Sequence, residues 1–500
     1  MRPSVLVAAA LAVGSGALLV AAFPERSWWF AAPLGVAGLH LALRGRSARG
    51  GFGVAALAGT TFWLLQLSWL TTYLGPVPWL ALATAQTLYV AVAGAATAAL
   101  LGAADRTWTP IGRIAFVPLT AAGIWTGREL VAGSWPYGGF GWGRVAASQV
   151  DGPFAELLAW LGPGGTTFAV VWLAVFAVEL ACAPALGRAP AAALVAGAAL
   201  TFSAVPSWKP TDVGELRVAA VQGGVDAGLF SGAEPGDILQ AHERATEGAG
   251  PVDLTIWPEN ASDLDPLASP DATARLDRVA REAPLLVGTI TGRTGDLVNT
   301  SLLWEPGIGA TDWYDKVRLV PFGEYVPDRA FWRQFAPDLI DLISRDYAPG
   351  VGDNVFGVAG TWIGVGICFD VVDDGLVREM VADGAELIVY QSNNADFGRT
   401  EQSAQQLGIA RMRAIETGRT VVNVSTVGTT AIIRADGTVA GALPTWTPGA
   451  LVDTVRLHGG TTPAVAFGER IGAGAAMLGV AGLALSVLGA VGRRRSAGEG

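Results

Sequence analysis

Apolar stretches of about 20 residues dominate the first 206 positions of this chain and return once near its end. A run of that length matches the hydrocarbon thickness of a bilayer, so each one predicts a membrane-spanning helix. The first run could be a secretory signal, since Arg2 precedes it, but further spans follow at once and favour an uncleaved anchor. The eight predicted spans are approximately 4–22, 27–43, 53–72, 78–104, 114–132, 166–186, 190–206 and 471–492.

The composition agrees with a membrane protein, and its unevenness predicts a domain organisation. Only 15% of the 500 residues are charged and 51% are hydrophobic, with a mean hydropathy of +0.42, whereas soluble domains average about 25% charged residues. We predict a seven-span domain at 1–206, an α/β domain at 207–468, and an eighth span with a basic tail at 469–500.

The placement of arginine predicts the orientation, because connections rich in Lys and Arg stay in the cytoplasm. With the N-terminus placed inside, four inner segments carry arginines and the short outer connections carry one, Arg26. Both termini are then predicted to be cytoplasmic, and the 207–468 domain extracytoplasmic. The inner arginines are Arg44, Arg46, Arg49, Arg106, Arg113, Arg188 and the Arg493–Arg495 tail.

Charge and cysteine content exclude some classes of function. The formal net charge is −10 and no basic patch is visible, which argues against a nucleic-acid partner. Of the two cysteines, Cys182 falls in a predicted span and Cys368 in the α/β domain, so we expect no disulfide between them. Ligand spacings typical of metal sites are missing, so neither a metal nor a cofactor is predicted.

Strand-like and helix-like segments alternate between 207 and 468, which predicts an α/β fold. Four helices are predicted at 238–247, 272–282, 376–383 and 402–417. The predicted strands are 216–221, 254–257, 285–290, 301–304, 362–367, 387–390, 421–424, 431–433 and 439–443.

Cys368 closes one of these strands in "GVGICFDVVDD". The carboxyl end of a strand is where open α/β folds bind ligands, and a following helix would favour the thiolate. The alternative is a small buried hydrophobe at the edge of a sheet.

A nucleophilic thiol needs a base, and the three histidines of the chain are poorly placed to supply it. None of His40, His242 and His458 follows a predicted strand. Glu259 does, in "LTIWPENA", and a carboxylate in an apolar pocket next to Trp257 could accept a proton. The alternative is a solvated glutamate in a turn.

Lysine usage points to a third residue. Only two of the 33 basic residues are lysines, and one of them is Lys316 in "DWYDKVRLVPFGEYVP", a segment that also carries Glu324. A compact ammonium suits the stabilisation of a small oxyanion better than a guanidinium does. Chance placement of a rare residue is the alternative.

Glu259, Lys316 and Cys368, each after a strand and about fifty residues apart, resemble the Glu–Lys–Cys triad of the nitrilase superfamily. With the predicted spans and "ELVAGSWPYGGFGWG", the whole chain resembles the bacterial apolipoprotein N-acyltransferases within that superfamily. The resemblance implies an αββα sandwich for the soluble domain. The matching stretches are "VAAVQGG", "TIWPENA", "YDKVRLVPFGEYVP", "GVGICFD" and "ARMRAIETGR".

The same resemblance implies a reaction. Cys368 would take an acyl chain from a membrane phospholipid as a thioester and pass it to the α-amino group of a diacylglyceryl-cysteine apolipoprotein. Glu259 would act as the base and Lys316 would stabilise the oxyanion together with a backbone N–H. Glu324 and Asp370 would support them, in an enzyme of the bacterial plasma membrane.

The resemblance also leaves open points. Trp135, Phe140 and Trp142 could form a substrate entrance or merely anchor the chain at the membrane interface. The chain has Phe369 and Asp370 where the family commonly has Tyr and Glu, and it carries Asn394 and Asp396 in "SNNADFG" instead of the family's "SNDAWFG".

Two further functions fit parts of the pattern. A membrane-tethered amidase would use the same triad with water as the acceptor, although small amide substrates would not require a membrane domain. A scaffold that binds lipoproteins without catalysis would not require the triad.

Overall fold

The computed structural model describes residues 3–183, 187–228, 231–351 and 353–498, the last five without their side chains. Residues 184–186 of the predicted sixth span and the last two residues of the predicted tail lie outside the described part. The chain divides into two compact units, Met1–Trp208 with Pro463–Gly500, and Lys209–Thr462. We call them the helical unit and the α/β unit.

Within the described ranges, the helical unit consists of eight α-helices before the α/β unit and one after it, and the longest connection between the first eight lies between Ala132 and Leu157. Pro76 and Pro110 are the first residues of two of these helices. Proline has no backbone N–H, and at the start of a helix that N–H would have no intrahelical hydrogen-bond partner. The helices are α1 (Val5–Ala21), α2 (Ala31–Leu43), α3 (Ala48–Gln66), α4 (Thr71–Leu74), α5 (Pro76–Thr107), α6 (Pro110–Ala132), α7 (Leu157–Ala181), α8 (Arg188–Ser203) and the last helix of the chain, Pro463–Gly498.

Three helices among the described residues are long and apolar enough to cross a membrane: α5, α7 and the last helix. The pair Ala48–Gln66 and Ser68–Leu74, bent by 55°, adds a fourth if it forms one broken span. The helices α1, α2 and α8 are apolar but have only 17, 13 and 16 residues. The eight spans and their orientation therefore stay a prediction.

Small residues and one buried carboxylate hold the helical unit together. A Cβ atom built on Gly123 of α6 would lie 2.4 Å from the nitrogen of Gly479 in the last helix, so these backbones touch only because both residues are glycines. Glu179 of α7 accepts hydrogen bonds from His40 Nε2 at 2.9 Å and Arg113 Nε at 2.6 Å. A charge buried in this way needs such partners.

The α/β unit contains two six-stranded sheets, in the orders β12-β1-β2-β3-β4-β5 and β11-β10-β9-β8-β7-β6. In each sheet the three central strands, β1-β2-β3 and β9-β8-β7, are parallel, and the outer pairs are antiparallel. The strands are β1 (Thr211–Gln222), β2 (Leu254–Ile256), β3 (Leu285–Thr291), β4 (Val298–Glu305), β5 (Gly309–Asp315), β6 (Val355–Val358), β7 (Thr361–Ile367), β8 (Leu387–Ser392), β9 (Thr420–Ser425), β10 (Ala431–Ile433), β11 (Val439–Ala442) and β12 (Gly449–Gly459).

The core of the α/β unit lies between the two sheets. Val218 and Ile256 of the first sheet pack in one buried cluster with Val365 and Val389 of the second. Strands that are buried on both faces consist of continuous runs of apolar residues, so these strands could be predicted from the sequence. The helices on the two outer faces are α9 (Asp237–Thr246), α10 (Pro270–Val279), α13 (Asp374–Ala382) and α14 (Gln402–Thr417). Two short helices, α11 (Arg329–Trp332) and α12 (Pro337–Leu342), pack in a separate small apolar cluster around Ile340.

The α/β prediction is confirmed, and its errors fall in the edges of the sheets. The strands β5, β6 and β12 were not predicted, although they are seven, four and eleven residues long. Polar residues interrupt β5 and β12, and β6 has only four residues, so none of the three shows the apolar run that predicts a central strand. The last helix, α15, begins at Pro463, six residues before the predicted boundary.

Candidate active site

Glu259, Lys316 and Cys368 each follow the end of a strand. Lys316 comes directly after β5 and Cys368 directly after β7, whereas Glu259 stands three residues beyond β2. Lys316 Nζ lies 3.3 Å from Glu259 Oε1, and the charges of both residues act on the thiol of Cys368. The fold therefore brings the three predicted residues to one place.

Lys316 is an ammonium buried between two carboxylates. Its side chain is 1% exposed, and Nζ also lies 2.9 Å from Glu324 Oε1. Burial by itself lowers the pKa of Lys316, but the negative charges of Glu259 and Glu324 outweigh that effect and raise the pKa well above its ordinary value. Lys316 is therefore a permanent cation at neutral pH.

Glu259 is fixed by both of its oxygens. Oε1 accepts a hydrogen bond from Asn299 Nδ2 at 2.7 Å, and Oε2 accepts one from the backbone N–H of Asn393 at 2.7 Å. The backbone beneath Glu259 passes very close to Gly288 of β3, where a Cβ atom would lie 2.7 Å from Glu259 Cα. These contacts leave the carboxylate a single orientation.

Glu324 supports Lys316 from the other side. Its Oε1 accepts hydrogen bonds from Lys316 and from Asn299 Nδ2 at 3.0 Å, and its Oε2 accepts one from the backbone N–H of Val320 at 2.7 Å. The tight turn of "VPFGEY" aims the carboxylate back at the lysine. Glu324 can therefore hold the ammonium in position.

Sequence reasoning missed Asn299, whose amide bridges Glu259 and Glu324. It lies in β4, one strand away from Lys316, and its carbonyl accepts the Lys316 backbone N–H at 2.8 Å. The predicted strand began at Ser301, which left Asn299 outside the sheet. An asparagine among the buried residues of a strand was the available signal.

Cys368 begins a short 3₁₀ turn, Cys368–Val372, and has a backbone φ of 49°. A non-glycine residue in this left-handed region is strained, and such strain is concentrated at functional sites. Burial raises the pKa of the Cys368 thiol, and the negative charge of Glu259 raises it further, whereas the ammonium of Lys316 opposes both. The thiol is therefore protonated at rest and needs a base.

Asp370 stabilises the turn that carries the thiol. Its carboxylate is fully buried and accepts hydrogen bonds from the backbone N–H of Ile367 at 2.8 Å, from Tyr314 Oη at 2.9 Å and from the Arg318 N–H at 3.1 Å. Burial raises the pKa of Asp370 to about 7, against the opposing charge of Lys316 and these donors. Its protonation therefore changes near neutral pH.

No group of three or more His, Cys, Asp or Glu side chains among the described residues is arranged to hold a metal ion. The polar groups around Cys368 are carboxylates, amides and one ammonium. This set of groups is suited to proton transfer and charge stabilisation by side chains.

Comparison with known proteins decides the family. The family model described as "Apolipoprotein N-acyltransferase N-terminal domain" matches residues 15–176, and the one described as "Carbon-nitrogen hydrolase" matches residues 217–461. The apolipoprotein N-acyltransferase of Mycolicibacterium smegmatis is 33% identical over 95% of this chain and 84% of its own. The chain belongs to the apolipoprotein N-acyltransferase family.

Other apolipoprotein N-acyltransferases extend the match. The protein of that name from Azotobacter vinelandii is 31% identical over 91% of this chain and 90% of its own. A mutant of a Nesterenkonia amidase from the nitrilase superfamily, a solved structure, is 20% identical over 48% of this chain and 90% of its own, with a TM-score of 0.38. The family predicted from the sequence is confirmed, and the roles of the individual site residues stay predictions.

The three aromatic residues predicted as a substrate entrance differ in exposure. Trp135 is 66% exposed, whereas Trp142 is 5% exposed and packs against Trp69 with ring centroids 5.8 Å apart. Phe140 stacks on Trp142 at 6.0 Å and also contacts Trp63 at 6.4 Å. Phe140 and Trp142 thus pack within the helical unit, and an entrance role is untested.

Proposed function

We propose that this protein transfers an acyl chain from a membrane phospholipid to the α-amino group of the N-terminal diacylglyceryl-cysteine of apolipoproteins. The main support is that a buried ammonium, a carboxylate fixed by two donors and a thiol in a strained turn meet in one site of a chain from this family. Glu259, Lys316 and Cys368 are the catalytic residues of the proposal, and Glu324 and Asp370 support them.

The first half-reaction forms a thioester. Glu259 accepts the proton of the Cys368 thiol, and the thiolate attacks an ester carbonyl of the phospholipid. Lys316, with a backbone N–H, stabilises the negative charge on the carbonyl oxygen. When the tetrahedral intermediate collapses, the ester C–O bond breaks, the lysophospholipid oxygen takes the proton from Glu259, and the acyl group stays on sulfur.

The second half-reaction forms an amide. The α-amino group of the lipoprotein attacks the thioester carbonyl and gives a proton to Glu259. The C–S bond then breaks, the sulfur of Cys368 recovers that proton, and the triacylated lipoprotein leaves. One base thus serves two steps in a ping-pong mechanism, and Lys316 stabilises the oxyanion in both.

A membrane location suits these substrates, because both carry long acyl chains. Moving such chains into water exposes apolar surface, which costs a free energy of about 25 cal/mol for each Å². We propose a multi-pass protein of the bacterial plasma membrane with the domain at 207–468 on the extracytoplasmic face and both termini in the cytoplasm. The membrane segments would be 1–206 and 469–500, which agrees with the apolar helices of the helical unit.

Intact-protein mass spectrometry after incubation with phospholipid tests the first half-reaction. We expect a mass increase equal to one fatty acid minus one water on the wild-type protein, mapped to Cys368 by peptide analysis, and no increase on Cys368→Ala. Addition of a synthetic diacylated lipopeptide should remove the adduct and yield an N-acylated peptide.

Other outcomes would support different functions. Release of free fatty acid without acylated peptide, together with hydrolysis of small amides, would indicate an amidase that uses water. Cells that complete lipoprotein acylation with Cys368→Ala as their only copy would exclude the proposed nucleophile.

A further inference from the structure

A row of buried polar side chains ends at the nucleophile. Asn394, Gln402 and Gln406 are 4%, 4% and 2% exposed, and Ser425 is fully buried. Asn394 Nδ2 donates to Oε1 of both glutamines at 2.7 Å, and Ser425 Oγ donates to Asn394 Oδ1 at 2.5 Å. The mechanism above uses none of these residues.

The last amide of the row, Gln406, faces the nucleophile. Its Nε2 lies 2.8 Å from Ser392 Oγ, 3.3 Å from the carbonyl oxygen of Cys368 and 4.0 Å from Cys368 Sγ. Its Oε1 accepts from Asn394 Nδ2 at 2.7 Å and from Gln402 Nε2 at 3.2 Å. Gln406 lies on α14, one turn before "ARMR", so its side chain reaches the thiol from a different element than the turn that carries Cys368.

The Ser425 hydroxyl sets the direction of this row. It accepts the N–H of Gly428 at 2.8 Å and donates its own proton to Asn394 Oδ1. The Asn394 amide points its NH₂ at Gln406 Oε1, and Gln406 points its NH₂ at Cys368. Hydrogen bonds aligned in one direction polarise one another, so the positive end of the row faces the sulfur.

We propose that Gln406 is a further catalytic residue: one N–H of its side chain donates to Ser392 Oγ, and the other lies between the Cys368 carbonyl oxygen and the sulfur, where it donates to the Cys368 thiolate. This assignment rests on the proposed function only in taking Cys368 as the nucleophile. A hydrogen bond from an N–H group to an anion is about twice as strong as one to a neutral acceptor. Gln406 therefore stabilises the thiolate more than the thiol.

The other charged groups around the thiol explain why an amide donor matters. Glu259 and Glu324 carry negative charges that oppose the thiolate. Lys316 is the cation that favours the thiolate, but its ammonium already lies against Glu259 and Glu324. A neutral amide favours the thiolate without adding a charge that would pair with those carboxylates.

The pH dependence of Cys368 alkylation by iodoacetamide tests this role in the full-length protein. Cys182→Ala serves as the background, because the chain has two cysteines. Gln406→Met keeps the size of the side chain and removes the donor, and we expect at least about ten-fold slower alkylation at pH 7 with a midpoint about one pH unit higher. Gln406→Glu should be slower still, because it places a third carboxylate at the sulfur.

Gln334→Met is the matched control, since Gln334 is exposed, and it should alkylate like the background protein. If Gln406→Met does not fold, Ser425→Ala removes the hydroxyl that sets the polarity and should shift the midpoint upward by a smaller amount. An unchanged alkylation profile in the folded variants would overturn the proposal. Because alkylation needs no phospholipid, a failure of acyl transfer in the wild-type protein would be recognised separately.

Discussion

The backbone N–H of Asn393 donates a 2.7 Å hydrogen bond to Oε2 of Glu259, although 134 positions separate the two residues. Glu259 follows β2 of the first sheet and Asn393 follows β8 of the second. The proposed base is therefore held where the ends of the two sheets meet, and its orientation depends on the packing of both.

Replacing the nucleophile tests the covalent step. We expect Cys368→Ser to form no thioester with phospholipid, because the hydroxyl is a far weaker acid than a thiol and Glu259 cannot deprotonate it to a useful extent. Intact-mass measurement of the acyl adduct checks this. Cys182→Ser should form the adduct at the wild-type level, and an adduct on Cys368→Ser that peptide mapping assigns to a residue other than 368 would refute Cys368 as the nucleophile.

Lys316→Arg tests the requirement for an ammonium. The larger, forked guanidinium cannot occupy the buried space between Glu259 and Glu324 in the same way, so we expect acyl transfer to fall by about 10²–10³-fold. The rate of lipopeptide acylation measures this loss.

Lys209→Arg is a matched control, because Lys209 is the other lysine of the chain and is exposed. It should retain the wild-type rate. A Lys316→Arg protein with near wild-type activity would refute the oxyanion role of Lys316.

Gly288→Ala tests the positioning of the base. A Cβ atom at Gly288 would lie 2.4 Å from the carbonyl oxygen of Pro258 and 2.7 Å from Glu259 Cα, so the backbone under Glu259 must move. A shift of about 1 Å can lower a rate about 100-fold, and we expect a loss of that order. Gly292→Ala is the control, because its Cβ atom would meet no atom within 4 Å; similar losses in both would point to general destabilisation.

Arg413→Met tests the support of the nucleophile turn. The fully buried guanidinium donates to the carbonyl of Val371 at 2.8 Å, to Asp374 at 2.7 Å and to Glu416 at 2.5 Å. Its removal leaves the buried carboxylate of Glu416 without this partner, and we expect a loss of about 3–5 kcal/mol in unfolding free energy. Thermal unfolding in detergent measures it, with the exposed Arg281→Met expected to match the wild type.

Asp370→Asn tests the buried carboxyl beside the thiol. The pKa of Asp370 is about 7 in the folded protein and about 3.9 when unfolded. Between these two pH values the folded state binds a proton that the unfolded state lacks. The contribution of Asp370 to the free energy of unfolding is therefore complete below pH 4 and is lost as the pH rises through 7. The stability of the wild type relative to Asp370→Asn should therefore fall from pH 5 to pH 8 and then level off. A constant difference in melting temperature over this range would contradict the raised pKa.

Much of the fold was accessible from the sequence because buried segments carry their own pattern. Val365 and Val389 sit in apolar runs that predicted central strands, and Cys368 and Glu259 ended such runs. Asn299 and Gln406 were not predicted as site residues, because an amide in a strand or helix looks the same whether it faces a site or a neighbour. Which groups Asn299 and Gln406 contact depends on the packing of the strands and of α14.

The sequence by itself determined the apolar helices, the α/β character of 207–468 and the chemical identity of the carboxylate, the ammonium and the thiol, because these follow from local pattern and residue type. Only the tertiary structure decided that Lys316 contacts two carboxylates, that Asn393 orients Glu259 and that a row of amides ends at Cys368. Hydrogen bonds act over about 3 Å. Lys316 comes that close to Glu259, 57 positions away, only when the strands of one sheet pair, and Asn393 comes that close to Glu259, 134 positions away, only when the two sheets pack.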